Sequence, residues 1–309
     1  MSANNDIREY QESPPGPGLS KIAGPDFLCI GMAKAGTGWL FDQLKYHPDF
    51  WMPPVKELGY LRRDTPRELP AVKKKLRRLR NLKKPPHEIL GWANRQPGDT
   101  RDIQFLEETA IGAGIVSYIP LFRHKQNWLS GDISPDYCAL EPAMIKEIAN
   151  SLPETKIVLL VRDPVSRAWS HACLKRRAGR VEDSVLRSTT AFREFIEQPR
   201  AIGVQPFPTR IVRNWTQNAP NLSFRHFLFD DIAADSEKAR ADILLYLGAD
   251  PDKSSGDLSA GHNKKAAKEK LDLTDDMKNV LVDFFREELL ACAECFGGAA
   301  REWPKKYGL

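Results

Sequence analysis

Apolar runs that alternate with helix-like segments constrain the fold of this chain more than any other feature. Phe27–Gly31 and Lys156–Val161 are short, nearly unbroken apolar runs of the kind found in buried parallel strands. A third run covers residues 223–229, and amphipathic patterns typical of helices occur at 238–247 and 277–296. This alternation predicts an α/β fold in which a central parallel sheet is flanked by helices.

The chain shows no internal repeat and no linker that would divide it, so we predict one domain over residues 25–309. Residues 1–24 are polar and contain several Pro and Gly, and we predict a flexible N-terminal tail that lacks the apolar core of a secretory signal. No apolar run approaches the roughly 18 residues of a membrane-spanning helix. The five cysteines are few and scattered, which argues against a disulfide framework and makes the cytoplasm the expected compartment.

The net charge of +5 arises from one basic segment. Residues 69–84 hold eight Lys and Arg and no acid, so the rest of the chain would carry a net charge of −3. Leu and Val recur there at steps of three or four, which predicts an amphipathic helix with a cationic face. That face could be merely solvated, or it could meet an acidic substrate or an anionic membrane. No aromatic residue is interleaved with the cations, so nucleic acid is not an expected partner.

A glycine-rich turn follows the first apolar run, in the order Gly31-Met-Ala-Lys34-Ala-Gly36-Thr37-Gly38. Glycines allow successive N–H groups to point into one concavity, and the helix behind the turn adds its positive end. Gly31 and Gly36 keep the spacing of the triphosphate loop G-x-x-x-x-G-K-S/T, but Thr37 replaces the lysine. The lysine lies inside the turn instead, at Lys34. We interpret residues 31–38 as a phosphate loop; the alternative is a turn that binds nothing.

The second apolar run ends at Arg162-Asp163-Pro164 and is followed by a helical pattern that contains Ser170. Asp163 suits the N-cap of that helix and Pro164 its first position. Arg162 would then lie at a strand end beside a helix N-terminus, where a phosphate can bind. The same turn could also be a plain structural cap.

Together the two motifs resemble the donor site of sulfotransferases that use 3'-phosphoadenosine 5'-phosphosulfate (PAPS). The pattern is most similar to the carbohydrate and heparan sulfate enzymes, in a soluble bacterial form. The resemblance implies a P-loop-nucleotide-kinase-like sulfotransferase fold, PAPS as co-substrate and no metal. It implies that the phosphate loop binds the 5'-phosphosulfate and that Arg162 and Ser170 hold the 3'-phosphate. The residues that it assigns to the donor are Lys34, Ala35, Gly36, Thr37, Gly38, Trp39, Arg162, Ser170, Lys264 and Lys265.

Two of these assignments have specific alternatives. Gly38 departs from the commoner family pattern, which places a hydroxyl or a bulkier residue there. Lys264 and Lys265 lie in a polar stretch where the family places a loop over the nucleotide, but they could equally be a solvated pair.

Sulfuryl transfer is an in-line displacement that needs a base for the acceptor proton and positive charge for the leaving phosphate. The resemblance assigns the charge to Lys34 and the base to Glu57, which follows Lys56. Without the resemblance, Glu57 would be interpreted as a surface partner of Lys56. His124 and His171 are the alternative bases.

The acceptor stays open: it could be a hydroxyl or amine of a glycan, a lipid or a small molecule, either acidic or membrane-associated. Residues 131–137 resemble an acceptor-side segment of the heparan enzymes, which makes Ser134 a candidate contact. That segment has Ile133 where those enzymes have lysine, which argues against a heavily sulfated glycan held in the same way. Two other functions compete: a P-loop-like kinase, because residues 227–231 resemble a magnesium-holding strand, and a polyanion-binding module without catalysis.

Overall fold

The computed structural model describes residues 24–62, 77, 93–95, 100–110, 113–253 and 271–309. The predicted tail up to residue 23, the basic segment 69–84 apart from Arg77, and both Lys264 and Lys265 lie outside these residues. None of the helices in the described part of the chain is long and apolar enough to span a membrane.

Four parallel strands form the sheet within the described residues. They are β1 Phe27–Gly31, β2 Gly131–Ile133, β3 Lys156–Val161 and β4 Phe224–Leu228. Their order is β2-β1-β3-β4, so the two strands with the clearest apolar runs are neighbours at the centre. Every residue of β1 and all but the first of β3 are buried, which explains why these strands are uniformly apolar rather than alternating. The predicted parallel sheet is confirmed, with β2 as an addition.

Helices flank the sheet, as predicted. In the described residues they are α1 Thr37–Lys45, α2 Arg101–Ala110, α3 Gly114–Tyr118, α4 Pro142–Ser151, α5 Pro164–Arg177, α6 Thr189–Glu197, α7 Pro208–Asn218, α8 Phe229–Ala234, α9 Ser236–Leu247, α10 Asp275–Phe296 and α11 Glu302–Lys306. Short 3₁₀ turns include Tyr60–Arg62 and Pro135–Ala139. One cluster of buried hydrophobic residues extends from Phe27 near the beginning of the described chain to Trp303 near its end. That continuity agrees with a single domain.

The start of α5 shows how the sequence defines its own boundary. The carboxylate of Asp163 accepts from the backbone N–H groups of Val165 at 2.9 Å and Ser166 at 3.4 Å. Pro164 occupies the first turn, where its missing N–H costs nothing. The helix therefore begins where the cap predicts and fixes the position of Arg162, the residue directly before the cap.

Candidate active site

The phosphate loop connects β1 to α1 at the carboxyl edge of the sheet. Its backbone enters the left-handed region twice, with φ of 72° at Lys34 and 100° at Gly36. A Cβ atom at Gly36 would lie 3.2 Å from the ring of Phe229, so both the backbone angle and the space favour glycine. The amide of Met32 donates to the carbonyl of Leu160 over 2.8 Å and ties the loop to β3. The loop is thus held against both central strands.

The other residues of the loop differ in what they can offer a ligand. Thr37 is buried, and its hydroxyl accepts from Lys56 Nζ over 3.3 Å. The side chains of Ala35 and Trp39 are buried in the core, so a donor would meet their backbone rather than their side chains. A Cβ atom at Gly38 would meet nothing within 4 Å, so the position leaves open space beside the loop.

Arg162 joins the second motif to the first. Its Nη1 donates to the carbonyl of Lys34 over 3.2 Å, and its guanidinium lies 4.6 Å from the ring centre of Phe229. Because β1 and β3 are adjacent, both motifs lie at neighbouring carboxyl ends of the sheet, where open α/β sheets bind ligands. The structure therefore brings the two motifs together; that each binds a phosphate, and which one, stays a prediction.

Several cations surround this edge of the sheet. Burial lowers the pKa of Lys34, and the nearby cations of Arg177, Arg162 and Lys56 lower it further. Burial also lowers the pKa of Arg162. We call Lys34, Lys56, Arg162 and Arg177 the cationic cluster. Like charges repel one another, so a bound polyanion would relieve the repulsion and favour the charged forms of Lys34 and Arg162.

Lys56 lies at the candidate site, although sequence reasoning did not assign it there. The sequence suggests only a surface partner of Glu57, and that pair is present, with 2.8 Å between Nζ and Glu57 Oε1. The same Nζ also reaches Thr37 in the phosphate loop. Lys56 is 24% exposed and Glu57 is 59% exposed, so the lysine faces the loop while the carboxylate opens to solvent. A lysine directly before a candidate base was the available signal.

Ser134, the candidate contact to donor or acceptor, has another role. Its side chain is buried, and its hydroxyl donates to Asp132 Oδ1 over 2.7 Å while it accepts from the N–H of Gly59 over 3.0 Å. Both hydrogen-bonding functions are thus used inside the protein. This corrects the expectation that the hydroxyl touches a substrate.

The two alternative bases differ in their surroundings. His124 is buried with its Nε2 3.0 Å from Glu108, so it already has a carboxylate partner. His171 lies half-buried on α5 beside Ser170, and its Nδ1 has no hydrogen-bond partner among the described residues. Burial, with cations nearby that include Lys34, lowers the pKa of His171 to about 4. His171 is therefore neutral near pH 7 and stays the alternative to Glu57.

The C-terminus holds the turn that carries Arg162. Asp163 Oδ2 accepts from Lys306 Nζ over 2.8 Å, from Ser166 Oγ over 2.9 Å and from the hydroxyl of Tyr307. Burial and the Asp163 carboxylate raise the pKa of Tyr307 to about 12, so the phenol stays a donor. No sequence signal connected these residues, because 144 positions separate Tyr307 from Asp163.

Tyr307→Phe should weaken this attachment without changing the shape of the ring. We expect the free energy of unfolding to fall by about 1.5 kcal/mol, because a bond to a buried carboxylate is lost. Affinity for adenosine 3',5'-bisphosphate (PAP) should fall about threefold, because the turn that carries Arg162 becomes less fixed. Denaturant unfolding and calorimetry measure the two effects.

Tyr246→Phe is the matched control for that variant. Its hydroxyl donates to the carbonyls of Ser223 and Ile157, at the opposite edge of the sheet. It should lose similar stability and keep its PAP affinity. Equal PAP affinities in both variants would argue against a role for the C-terminus in donor binding.

The resemblance of residues 227–231 to a magnesium-holding strand is wrong in one respect. The strand ends at Leu228, and Asp230 lies on α8, where its carboxylate accepts from Trp303 Nε1 over 3.3 Å. Within the described residues, no three His, Cys, Asp or Glu side chains are grouped so as to hold a metal ion.

Comparison with known proteins gives a family match and similar solved structures. A model of the sulfotransferase family matches residues 25–253 of the chain. No curated protein matches the sequence. Among solved structures, the chain is similar to a sulfotransferase from Alicyclobacillus acidocaldarius, with 20% identity and a TM-score of 0.57 over 90% of this chain and 98% of that one. It is also similar to the sulfotransferase domain of an olefin synthase from Synechococcus PCC 7002, with 16% identity and a TM-score of 0.44 over 88% and 98%. The first of these structures shares the fold of this chain.

Proposed function

The chain belongs to the sulfotransferase family, and from this premise we propose that it transfers a sulfuryl group from PAPS to a hydroxyl or amine of a glycan, lipid or small molecule. One observation carries the choice of donor: the Arg162 guanidinium lies against the backbone of the phosphate loop, 3.2 Å from the carbonyl of Lys34. Two cationic phosphate sites at adjacent strand ends suit a nucleotide with anions at both the 5' and the 3' positions. An ordinary nucleoside triphosphate would leave Arg162 and Ser170 without a phosphate.

The chemistry assigns a distinct task to each group. The acceptor oxygen or nitrogen forms a bond to sulfur while the bond from sulfur to the bridging oxygen of the 5'-phosphate breaks. Lys34 neutralises the charge that develops on that bridging oxygen, and Arg162 holds the 3'-phosphate. The acceptor proton moves to the carboxylate of Glu57, and PAP leaves with the electron pair of the broken bond.

Lys56 links the two halves of this site. It lies between the Thr37 hydroxyl, at 3.3 Å, and the Glu57 carboxylate, at 2.8 Å. A cation in that position faces the sulfuryl oxygens during transfer and keeps the base next to the phosphate loop. Its location supports Glu57 as the base, since it connects an otherwise exposed carboxylate to the donor side.

Removing the charge of Arg162 tests the donor assignment. We expect the unaltered protein to bind PAP more tightly than AMP, because AMP lacks the 3'-phosphate. Arg162→Gln should reduce that preference by about 10-fold or more, since a charge-assisted contact contributes about 1.5–3 kcal/mol. Calorimetry with both nucleotides measures the ratio.

Arg225→Gln is the matched control for the donor test. Arg225 is exposed on β4, with its guanidinium 5.0 Å from the ring centre of Phe227, so it resembles Arg162 in stacking but lies earlier in its strand. This variant should keep the preference for PAP. Equal affinity of the unaltered protein for PAP and AMP would contradict the proposal.

Turnover separates the proposal from its two competitors. Transfer of labelled sulfate from PAPS to a panel of glycans, lipids and small alcohols should be detectable with EDTA present. A kinase would need magnesium and a triphosphate, and a polyanion-binding module would release no PAP. The panel would also identify the acceptor class.

A further inference from the structure

A buried carboxylate lies beside the segment that carries Glu57. Asp132 in β2 is 1% exposed, and its two oxygens accept from three hydroxyls. Ser134 Oγ donates to Oδ1 over 2.7 Å, and the hydroxyls of Tyr137 and Tyr118 donate to Oδ2 over 2.7 and 3.2 Å. We call Asp132, Ser134 and Tyr137 the Asp132 cluster; Tyr118 is a further donor to the carboxylate and is not counted in it. A carboxylate removed from water needs such partners, and burial raises its pKa despite them.

All three residues of the cluster also hold the backbone of residues 57–61, which we call the base segment. The N–H of Gly59 donates to Ser134 Oγ over 3.0 Å, and the N–H of Leu61 donates to the hydroxyl of Tyr137 over 3.3 Å. The N–H of Leu58 donates to the Asp132 carboxylate itself. The cluster thus receives three N–H groups from a segment that has no strand or α-helix to satisfy them.

The base segment needs this support because its first residue has an unfavourable backbone. Glu57 has a backbone φ of 63°, in the left-handed region that residues other than glycine rarely adopt. Such a conformation persists only where surrounding contacts hold it. The N–H of Glu57 donates to the carbonyl of Ile133 over 3.2 Å, so β2 and the Asp132 cluster together fix the backbone on both sides of Cα. The side chain then lies against Lys56 rather than elsewhere on the surface.

We propose that the Asp132 cluster is the device that positions Glu57 for proton transfer. The inference deepens the proposed function, because it rests on Glu57 as the base. Asp132, Ser134 and Tyr137 do not touch the reacting atoms; they are positioning residues that act through the backbone of the base segment. The segment 131–137 thereby serves catalysis from inside the protein, in place of the acceptor contact expected from its sequence.

The two tyrosines that donate to Asp132 offer a matched pair of variants. Tyr137→Phe and Tyr118→Phe each remove one hydroxyl from Asp132 Oδ2 and leave a buried ring in place. Only Tyr137 also accepts the N–H of Leu61, so only its loss should free the base segment. A merely structural role for the cluster would make the two variants alike.

The test measures three properties of each variant: amide hydrogen exchange across residues 55–62, PAP affinity, and the rate of sulfuryl transfer. For Tyr137→Phe we expect exchange in 55–62 to quicken by about tenfold. Its transfer rate should fall by about 10²-fold at saturating PAPS, because a misplaced base loses most of its effect. PAP affinity should stay unchanged, and Tyr118→Phe should match the unaltered protein in all three properties. Ser134→Ala, which removes the acceptor of the Gly59 N–H, should behave as Tyr137→Phe does.

The outcomes separate this inference from the proposed function. Equal exchange across 55–62 in the two tyrosine variants would overturn the positioning role, whatever the activity. Loss of PAP affinity in Tyr137→Phe would also overturn it, because the cluster would then act on the donor site. An unaltered protein that transfers no sulfate would contradict the proposed function, while the exchange data would still show whether the cluster holds the base segment.

Discussion

Lys34→Ala should lose both donor affinity and turnover, with PAPS binding weaker by about 10-fold and transfer slower by about 10²–10³-fold. The Lys34 side chain is partly buried at the phosphate loop, and Arg162 donates a hydrogen bond to the backbone carbonyl of Lys34. No other lysine can therefore take this position without a movement of the backbone. The bridging oxygen gains charge only as the bond to sulfur breaks, which is why turnover should fall further than affinity. Calorimetry with PAP and single-turnover transfer measure the two losses separately.

Lys156→Ala provides the control, since Lys156 opens β3 at the opposite edge of the sheet. It removes the same charge from the protein and should change neither property.

A pH series adds a second check. Burial and neighbouring cations lower the pKa of Lys34, so its ammonium loses its charge sooner as the pH rises. PAP affinity should therefore begin to fall with rising pH below about 10.4, the ordinary lysine pKa. That decline should be absent from Lys34→Ala; its persistence there would assign the titration to another group.

The central strands could be predicted because their sequence shows their burial. β1 and β3 are buried on both faces, so each is a continuous apolar run that is too short for a helix. β2 could not be predicted in the same way, since its three residues include Asp132. A buried aspartate is stable there only because hydroxyls from other elements surround it. The hydrophobic periodicity of the sequence does not show such partners.

The residues of the candidate site also differ in whether a local sequence pattern or a contact made only in the folded chain brings them there. Lys34 and Arg162 could be proposed from the sequence because each belongs to a local motif, a strand followed by a turn and a helix cap. Lys56 and Tyr307 could not, because their contacts join chain segments that meet only after folding. Ser134 illustrates a third case, in which the resemblance points to a segment but does not predict the contacts of its side chains. Its hydroxyl points inward to Asp132, which a sequence pattern cannot distinguish from a substrate contact.

Glu57→Gln should separate binding from chemistry more cleanly than any other change. The amide keeps the size of the side chain and can still accept a hydrogen bond from Lys56, but it cannot take up the acceptor proton. We therefore expect PAP affinity to stay within about twofold, while transfer falls by about 10²–10⁴-fold, the range of a general base. Calorimetry and initial rates at saturating PAPS measure the two quantities.

Glu108→Gln is the matched control, and it also tests His124, one of the two alternative bases. Glu108 pairs with Arg123 at 2.5 Å and with His124 at 3.0 Å, so it is a salt-bridged glutamate away from the phosphate loop. If Glu57 is the base, this variant keeps full turnover; a loss there would implicate His124. Near-normal turnover in Glu57→Gln would contradict the assignment and direct the next substitution to His171. That imidazole lies beside Ser170 on α5, and with its pKa lowered to about 4 it is unprotonated at neutral pH and able to accept a proton.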